Sequence, residues 1–149
     1  MPQFLETTVD KFIFRVATDR SYTGEGLWVW AEGSRVRLGL SDFLQQRSGD
    51  VAFAEVKPVG TTLAAGEEVA VIETIKVNIS LTSPVGGTVV EVNSALDLSP
   101  EVINQDPYGA GWLVVIEAED GQAEHGQLLD AQSYFDLMKG QAEEEAKRP

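Results

Sequence analysis

Apolar and polar positions alternate along most of this chain in short runs, each closed by a turn. The alternation over 12–16 predicts a first strand, and 17–26 is polar and glycine-containing, a loop. Residues 27–31 and 36–40 predict two strands joined across Gly33-Ser34 as a hairpin. Ser41 is placed to cap a short helix over 42–47, with Asp42 in its first turn and Gly49 as its stop. Residues 51–56 return to strand, followed by turns at 58–61 and 64–67. Residues 69–72 form an apolar run of strand length. Beyond them Val77, Ile79 and Leu81 share one face of a strand, and Asn78, Ser80 and Thr82 share the other. The turn at 84–87 leads into a strand over 88–92, and its Pro-Val-Gly repeats that of 58–60.

Ser99-Pro100 predicts a helix start, with Ser99 as cap and Pro100 at the first helical position. That helix is short, because Asp106-Pro107-Tyr108-Gly109 is a turn sequence. A last strand is expected over 111–116. Asp130 would cap a final helix whose Ala131, Tyr134, Phe135 and Met138 lie at helical spacing. Many short strands with few helices predict a mainly β fold, a sandwich or barrel with short helices and a C-terminal helix. One domain is expected over 1–139, followed by a charged tail over 140–149 that frays.

The pattern breaks once inside its central strands, at Glu73-Thr74-Ile75-Lys76. A tight reversal there puts Lys76 at or beside a hairpin tip. Between Lys57 and Lys139, Lys76 is the only Lys or Arg, against thirteen Asp and Glu. From pattern alone such a lysine is a solvated charge on a turn.

Composition narrows the chemistry. The chain has 149 residues and a formal net charge of -13, which disfavours nucleic acid and anionic membrane and favours basic partner surfaces. It has no cysteine, so disulfides, thiolate nucleophiles and Cys-based metal sites are excluded. No signal peptide and no membrane-spanning run is visible, so a cytoplasmic monomer is expected. His125, the only histidine, sits in a polar linker and is not expected to be a metal ligand or a catalytic residue. Trp28, Trp30 and Trp112 read as packing residues. Gly-x-Ser-x-Gly, His-Glu-x-x-His and phosphate-loop motifs are absent.

Glu73-Thr74-x-Lys76, with Ser83-Pro84-Val85-Gly86-Gly87-Thr88 beyond it, resembles the attachment hairpin of lipoyl domains. The resemblance implies lipoic acid in amide linkage on Lys76. Glu73 would then help the lipoate-attaching enzyme recognise the hairpin, or be a surface carboxylate near an amine. Gly87 would be read by the same enzyme, or, with Gly86, supply a positive φ in a turn. Biotinyl domains are similar but usually carry methionine on both sides of the lysine, where this chain has Ile75 and Val77.

The likeness extends over most of the chain. Residues 36–43, 49–53, 91–96, 99–104 and above all Asn104-Gln105-Asp106-Pro107-Tyr108-Gly109-Ala110-Gly111-Trp112-Leu113 resemble the glycine cleavage system H-protein family. That implies a barrel-sandwich hybrid of lipoyl/biotinyl type and a non-catalytic carrier in which the cofactor does the chemistry. Two departures lie near the arm. H proteins usually carry His-Glu-Trp where this chain has Gly26-Leu27-Trp28, and Glu-Ser-Val-Lys where it has Glu73-Thr74-Ile75-Lys76, followed here by Val77-Asn78-Ile79-Ser80. The altered hairpin is more similar to H-like lipoate-binding proteins of sulfur oxidation. The expectation is therefore a carrier of sulfur intermediates, working with a dehydrogenase/reductase or heterodisulfide-reductase-like complex. The alternatives are an aminomethyl carrier serving the glycine decarboxylase complex and an unmodified structural or regulatory module on the same fold.

Overall fold

A computed structural model describes residues 3–119 and 128–147; His125 and its linker lie outside them. Strand β1 (Phe4–Val9) pairs antiparallel with β2 (Phe12–Ala17) across Asp10-Lys11. Asp10 takes φ 58, the left-handed conformation that such a two-residue turn requires and that aspartate tolerates. A six-stranded sheet runs β3 (Ser21–Tyr22), β4 (Leu27–Glu32), β5 (Arg35–Leu40), β11 (Val114–Ala118), β10 (Gly87–Val92), β7 (Thr62–Leu63). A three-stranded sheet is β6 (Val51–Val56), β8 (Glu68–Thr74) and β9 (Asn78–Thr82). Helices α1 (Asp42–Ser48), α2 (Ala95–Leu98), α3 (Val102–Gln105) and α4 (Ala131–Ala146) complete the described chain. The architecture is the expected barrel-sandwich hybrid.

Alternation decides which side chains meet. Val36, Leu38 and Leu40 of the large sheet face Ile72 and Leu81 of the small one, with Val89 and Ile116, in one apolar core. A second core lies outside that sandwich. There Phe14, Tyr22, Trp28 and Phe43 pack against Tyr134, Met138 and Ala142 of α4. Trp28 is buried and its indole N–H donates to the Pro107 carbonyl at 2.8 Å. Gly39 lies under the Trp28 ring, where a Cβ would collide with it. Of the other tryptophans, Trp30 is exposed and Trp112 lies under the Arg37 guanidinium at 4.4 Å.

Several boundaries move. Residues 17–26, expected as a loop, include β3, whose Tyr22 exchanges backbone hydrogen bonds of 2.8 and 2.7 Å with Leu129. The helix expected from Ser99-Pro100 is α3, beginning at Val102, and a further short helix, α2, precedes it. The Asn93 side chain accepts from the Ala95 N–H at 3.1 Å at the start of α2, which Ser99 ends; the Ser99 and Pro100 carbonyls then accept from the Val102 and Ile103 N–H groups at 3.0 and 3.1 Å and lead into α3. The last strand starts at Val114, because the Gly111 and Trp112 N–H groups close turns onto Asp106 and Gly109. The tail expected to fray is helical through Ala146. Ala142 continues the buried face of Tyr134 and Met138 and anchors the last turns.

All three tyrosines of the chain belong to or border the second core. Tyr22 stacks on Tyr134 with centroids 4.5 Å apart, and Tyr108 meets Tyr22 edge-on at 6.5 Å. Burial raises the pKa of Tyr22 and Tyr108 well above the ordinary 10.0, and pushes Tyr134 up to about 12. A raised folded-state pKa stabilises below the unfolded value and is lost above it. Stability should therefore fall as pH rises from about 10 through about 12, by up to about 1.4 kcal/mol per pH unit for each tyrosine. Tyrosinate absorbance followed beside circular dichroism should rise only as the fold is lost; tyrosinate in an intact fold near pH 10 would contradict the burial. Ala142→Asp should cost about 1–3 kcal/mol in urea unfolding. A frayed tail would leave the midpoint unchanged.

Candidate functional site

Lys76 stands at the end of the β8–β9 hairpin, and the sequence accounts for how it is held. Glu73 is paired with Asn78, and the Thr74 N–H donates to the Val77 carbonyl at 2.9 Å. The reversal is therefore Ile75 and Lys76 alone. The Thr74 hydroxyl organises it. It accepts from the N–H groups of Lys76 (3.1 Å) and Val77 (3.0 Å), and donates to the Ser48 carbonyl at 2.7 Å. The Ile75 N–H donates to the Asp50 carbonyl at 3.1 Å. These bonds tie the tip to the segment that leaves α1.

That segment is itself braced. Gly49 has φ +93, which stops α1 and favours glycine. The Asn104 side chain donates to the Gly49 carbonyl and to the Gln45 side chain, both at 3.0 Å, and accepts from the Val51 N–H at 2.9 Å. The Lys76 side chain lies over Gly49, where a Cβ would stand 3.0 Å from Lys76 Cδ. Lys76 Nζ donates to the Arg47 carbonyl at 3.3 Å. Among the described residues no carboxylate lies within ion-pair distance of Lys76. The amine is exposed, and its charge is not spent on the fold.

The other residues singled out in the sequence fall in different places. Glu73 is half-buried at the base of the tip, opposite Phe53 of β6. Gly87 opens β10 in the other sheet, where it pairs with Ala118 of β11 and Leu63 of β7. Neither Gly86 nor Gly87 has the positive φ expected of it. Gly87 is glycine for another reason: a Cβ there would collide with the Glu117 carbonyl of β11. Gly26, at the position of the family's usual histidine, has φ +104 and is crowded by Leu44 and the Tyr134 hydroxyl. Leu27 beside it is buried in the core.

Sequence reasoning missed the bracing role of Asn104, which it treated only as part of a family block. It also missed β1. Thr7 and Thr8 followed by Asp10-Lys11 and an alternating run were the available signal.

The glycine cleavage H-protein family model matches residues 20–141. The chain belongs to the glycine cleavage H-protein family. It is 47% identical over 126 residues to the glycine cleavage system H protein of Beutenbergia cavernae, covering 85% of this chain and 98% of that one. It is 39% identical over 127 residues to the H protein of Thermus thermophilus, covering 85% and 98%. The crystal structure of a glycine cleavage system H protein from Mycobacterium marinum is similar at TM-score 0.72 and 34% identity, over 80% of this chain and 95% of that one. Members are non-catalytic carriers, and this chain is a carrier, not an enzyme.

Thr74→Val keeps the shape and removes the hydroxyl. It should cost about 1–3 kcal/mol in urea unfolding and speed hydrogen exchange at the Lys76 and Val77 amides. Unchanged exchange at both would show that the hydroxyl does not hold the tip.

Proposed function

We propose that Lys76 carries lipoic acid in amide linkage and that this chain serves a glycine cleavage system, moving the aminomethyl group among its enzymes. The observation behind the reading is a lysine at a two-residue hairpin tip in a chain of the H-protein family. Lipoic acid, when bound, supplies a dithiolane at the end of a long flexible tether.

The residues around Lys76 fit that attachment. Gly49 leaves a cradle for the lysine carbons that any Cβ would narrow. The partner of Nζ is a neutral carbonyl, that of Arg47, so an amide N–H can replace the ammonium there without stranding a counter-charge. Thr74 and the Asp50 carbonyl hold the backbone of the tip, which leaves the side chain as the moving part. Glu73, half-buried at the base, gives the lipoate-attaching enzyme a carboxylate to recognise. Gly87 acts through the fold, by letting β10 close onto β11.

The partners in this reading are the lipoate-attaching enzyme and the glycine decarboxylase complex. The setting is the cytoplasm and the carrier a monomer. Among the described residues no helix is long and apolar enough to cross a membrane. The relatives named above are glycine cleavage H proteins. None supports the sulfur intermediates or the heterodisulfide-reductase-like partners that the altered hairpin suggested.

The test is loading. Lipoylated protein incubated with glycine and glycine decarboxylase should gain the aminomethyl mass on the Lys76 peptide. Lys76→Arg should unfold within about 0.5 kcal/mol of the parent, as a surface exchange of cations does, and should carry nothing. Loading of Lys76→Arg, or its failure to fold, would refute the assignment.

A further inference from the structure

Helix α4 changes character at Gly140. Before that point its buried face carries Tyr134 and Met138, two large side chains shut off from solvent. Of residues 141–147 only Ala142 is buried. Gly140 itself is exposed, and a Cβ added there would meet nothing within 4 Å. No close contact asks for glycine, yet glycine inside a helix weakens it against alanine by a factor of about 2–5. The helix end is also acidic. Glu143, Glu144 and Glu145 stand at the negative end of the helix dipole, and the last turn holds no basic residue.

Two contacts hold this end down. Ala142 enters the second core, and Glu145 pairs with Arg47 of α1 at 3.1 Å. The first buries one methyl group, and the second is a half-exposed ion pair, which holds weakly. Both act beside the lysine. Ala142, Glu145 and Ala146 share a groove of about 340 Å³ with Phe43, Arg47 and Lys76. The Lys76 amine rests on the Arg47 carbonyl, and the Arg47 guanidinium rests on Glu145. Lysine, α1 and the end of α4 are thus joined in series. Residues 142–146 lie outside the part of the chain that matches the family.

We propose that residues 141–146 are a strap, hinged at Gly140, that closes against α1 beside Lys76 and opens to admit the lipoate-attaching enzyme. The inference rests on the lipoylation of Lys76 proposed above. An enzyme that acylates Nζ has to draw the amine off the Arg47 carbonyl and close around the lysine stem. The end of α4 stands on that flank. Opening costs little, because it gives up one alanine and one exposed ion pair while Tyr134 and Met138 keep the rest of α4 docked. The enzyme then binds only the open fraction, and its apparent affinity is lowered by that fraction.

The experiment is amide hydrogen exchange on the full chain, beside the kinetics of lipoylation by a lipoate-attaching enzyme. The amides of Glu144, Glu145 and Ala146 should exchange on the order of 100-fold more slowly than in an unstructured chain, and much faster than that of Met138. Gly140→Ala should slow the three amides by about 2–5-fold. It should raise the KM for lipoylation by the same factor and leave kcat unchanged. Ile72→Val, in the other core, should speed exchange at Met138 and leave the three amides as they were. Three amides that follow Met138 in both variants would overturn the strap, since they would then open only with the whole fold. Exchange indifferent to Gly140→Ala would overturn the hinge, because ordinary fraying of the last turn does not feel residue 140. Slower exchange with unchanged lipoylation would overturn the gate and leave the lipoylation standing. Failure of the enzyme to modify the parent chain would overturn the reading of Lys76 and the gate with it.

Discussion

The hydroxyl of Thr74 couples the end of the β8–β9 hairpin to the end of α1. It takes two N–H groups from the tip and gives its proton to the Ser48 carbonyl. Remove that joint and the tip keeps its ladder partners, the Ile75 N–H bond to the Asp50 carbonyl and the Lys76 Nζ bond to the Arg47 carbonyl. With it, Lys76 is presented at one place relative to α1, Gly49 and the groove beyond. The joint works because Gly49 turns the chain sharply at φ +93 and leaves room for the lysine carbons. Asn104 then fixes the same turn from below through three side-chain bonds. On the proposed reading of Lys76, a carrier needs its arm mobile and its attachment point rigid, and this arrangement would separate the two.

The rest of the molecule supports that end of the sandwich. The two sheets enclose an apolar core whose register is set by alternation. The second core binds α4 and the β1–β2 hairpin to α1 through stacked and edge-on aromatic rings. Ser41 caps α1 and shares a hydrogen bond of 2.8 Å with Tyr134, so the start of α1 is held by α4 while its end is held by the lysine hairpin. Arg20 is buried between aromatic rings, with Trp28 at 4.7 Å and Tyr108 at 5.3 Å, and its guanidinium is met by Asp19 and the Tyr108 carbonyl. Its charge is thus compensated locally and the core stays intact.

Much of this was legible in the sequence, for physical reasons. Val77, Ile79 and Leu81 alternate strictly, so the hairpin and its lysine tip followed from period alone. Asp130 and Ser41 have the chemistry of caps and act as caps. The errors have causes as well. Ser99-Pro100 does lead into a helix, α3, but the preceding turn of helix, α2, was missed because its start depends on the Asn93 side chain reaching the Ala95 N–H. Ala142 lies in a charged run, and only the packing of α4 reveals that its face is buried. Gly87 looked like a turn glycine, whereas the need arises from the Glu117 carbonyl across the sheet, a non-local contact. The family resemblance was carried by residues 104–113, and Asn104 in that block turned out to brace the site itself. The sulfur-carrier reading leaned on a few positions near the arm. At one of them, Gly26, the backbone conformation and the crowding by Leu44 and Tyr134 account for glycine without reference to cargo.

On the proposed reading the amine of Lys76 is an attachment point and not a surface charge. The most direct measurement is the intact mass of the protein from its native source, with the addition mapped by peptide. A single lipoyl addition, on Lys76, is expected. A bare Lys76 in cells that lipoylate their other carriers would contradict it.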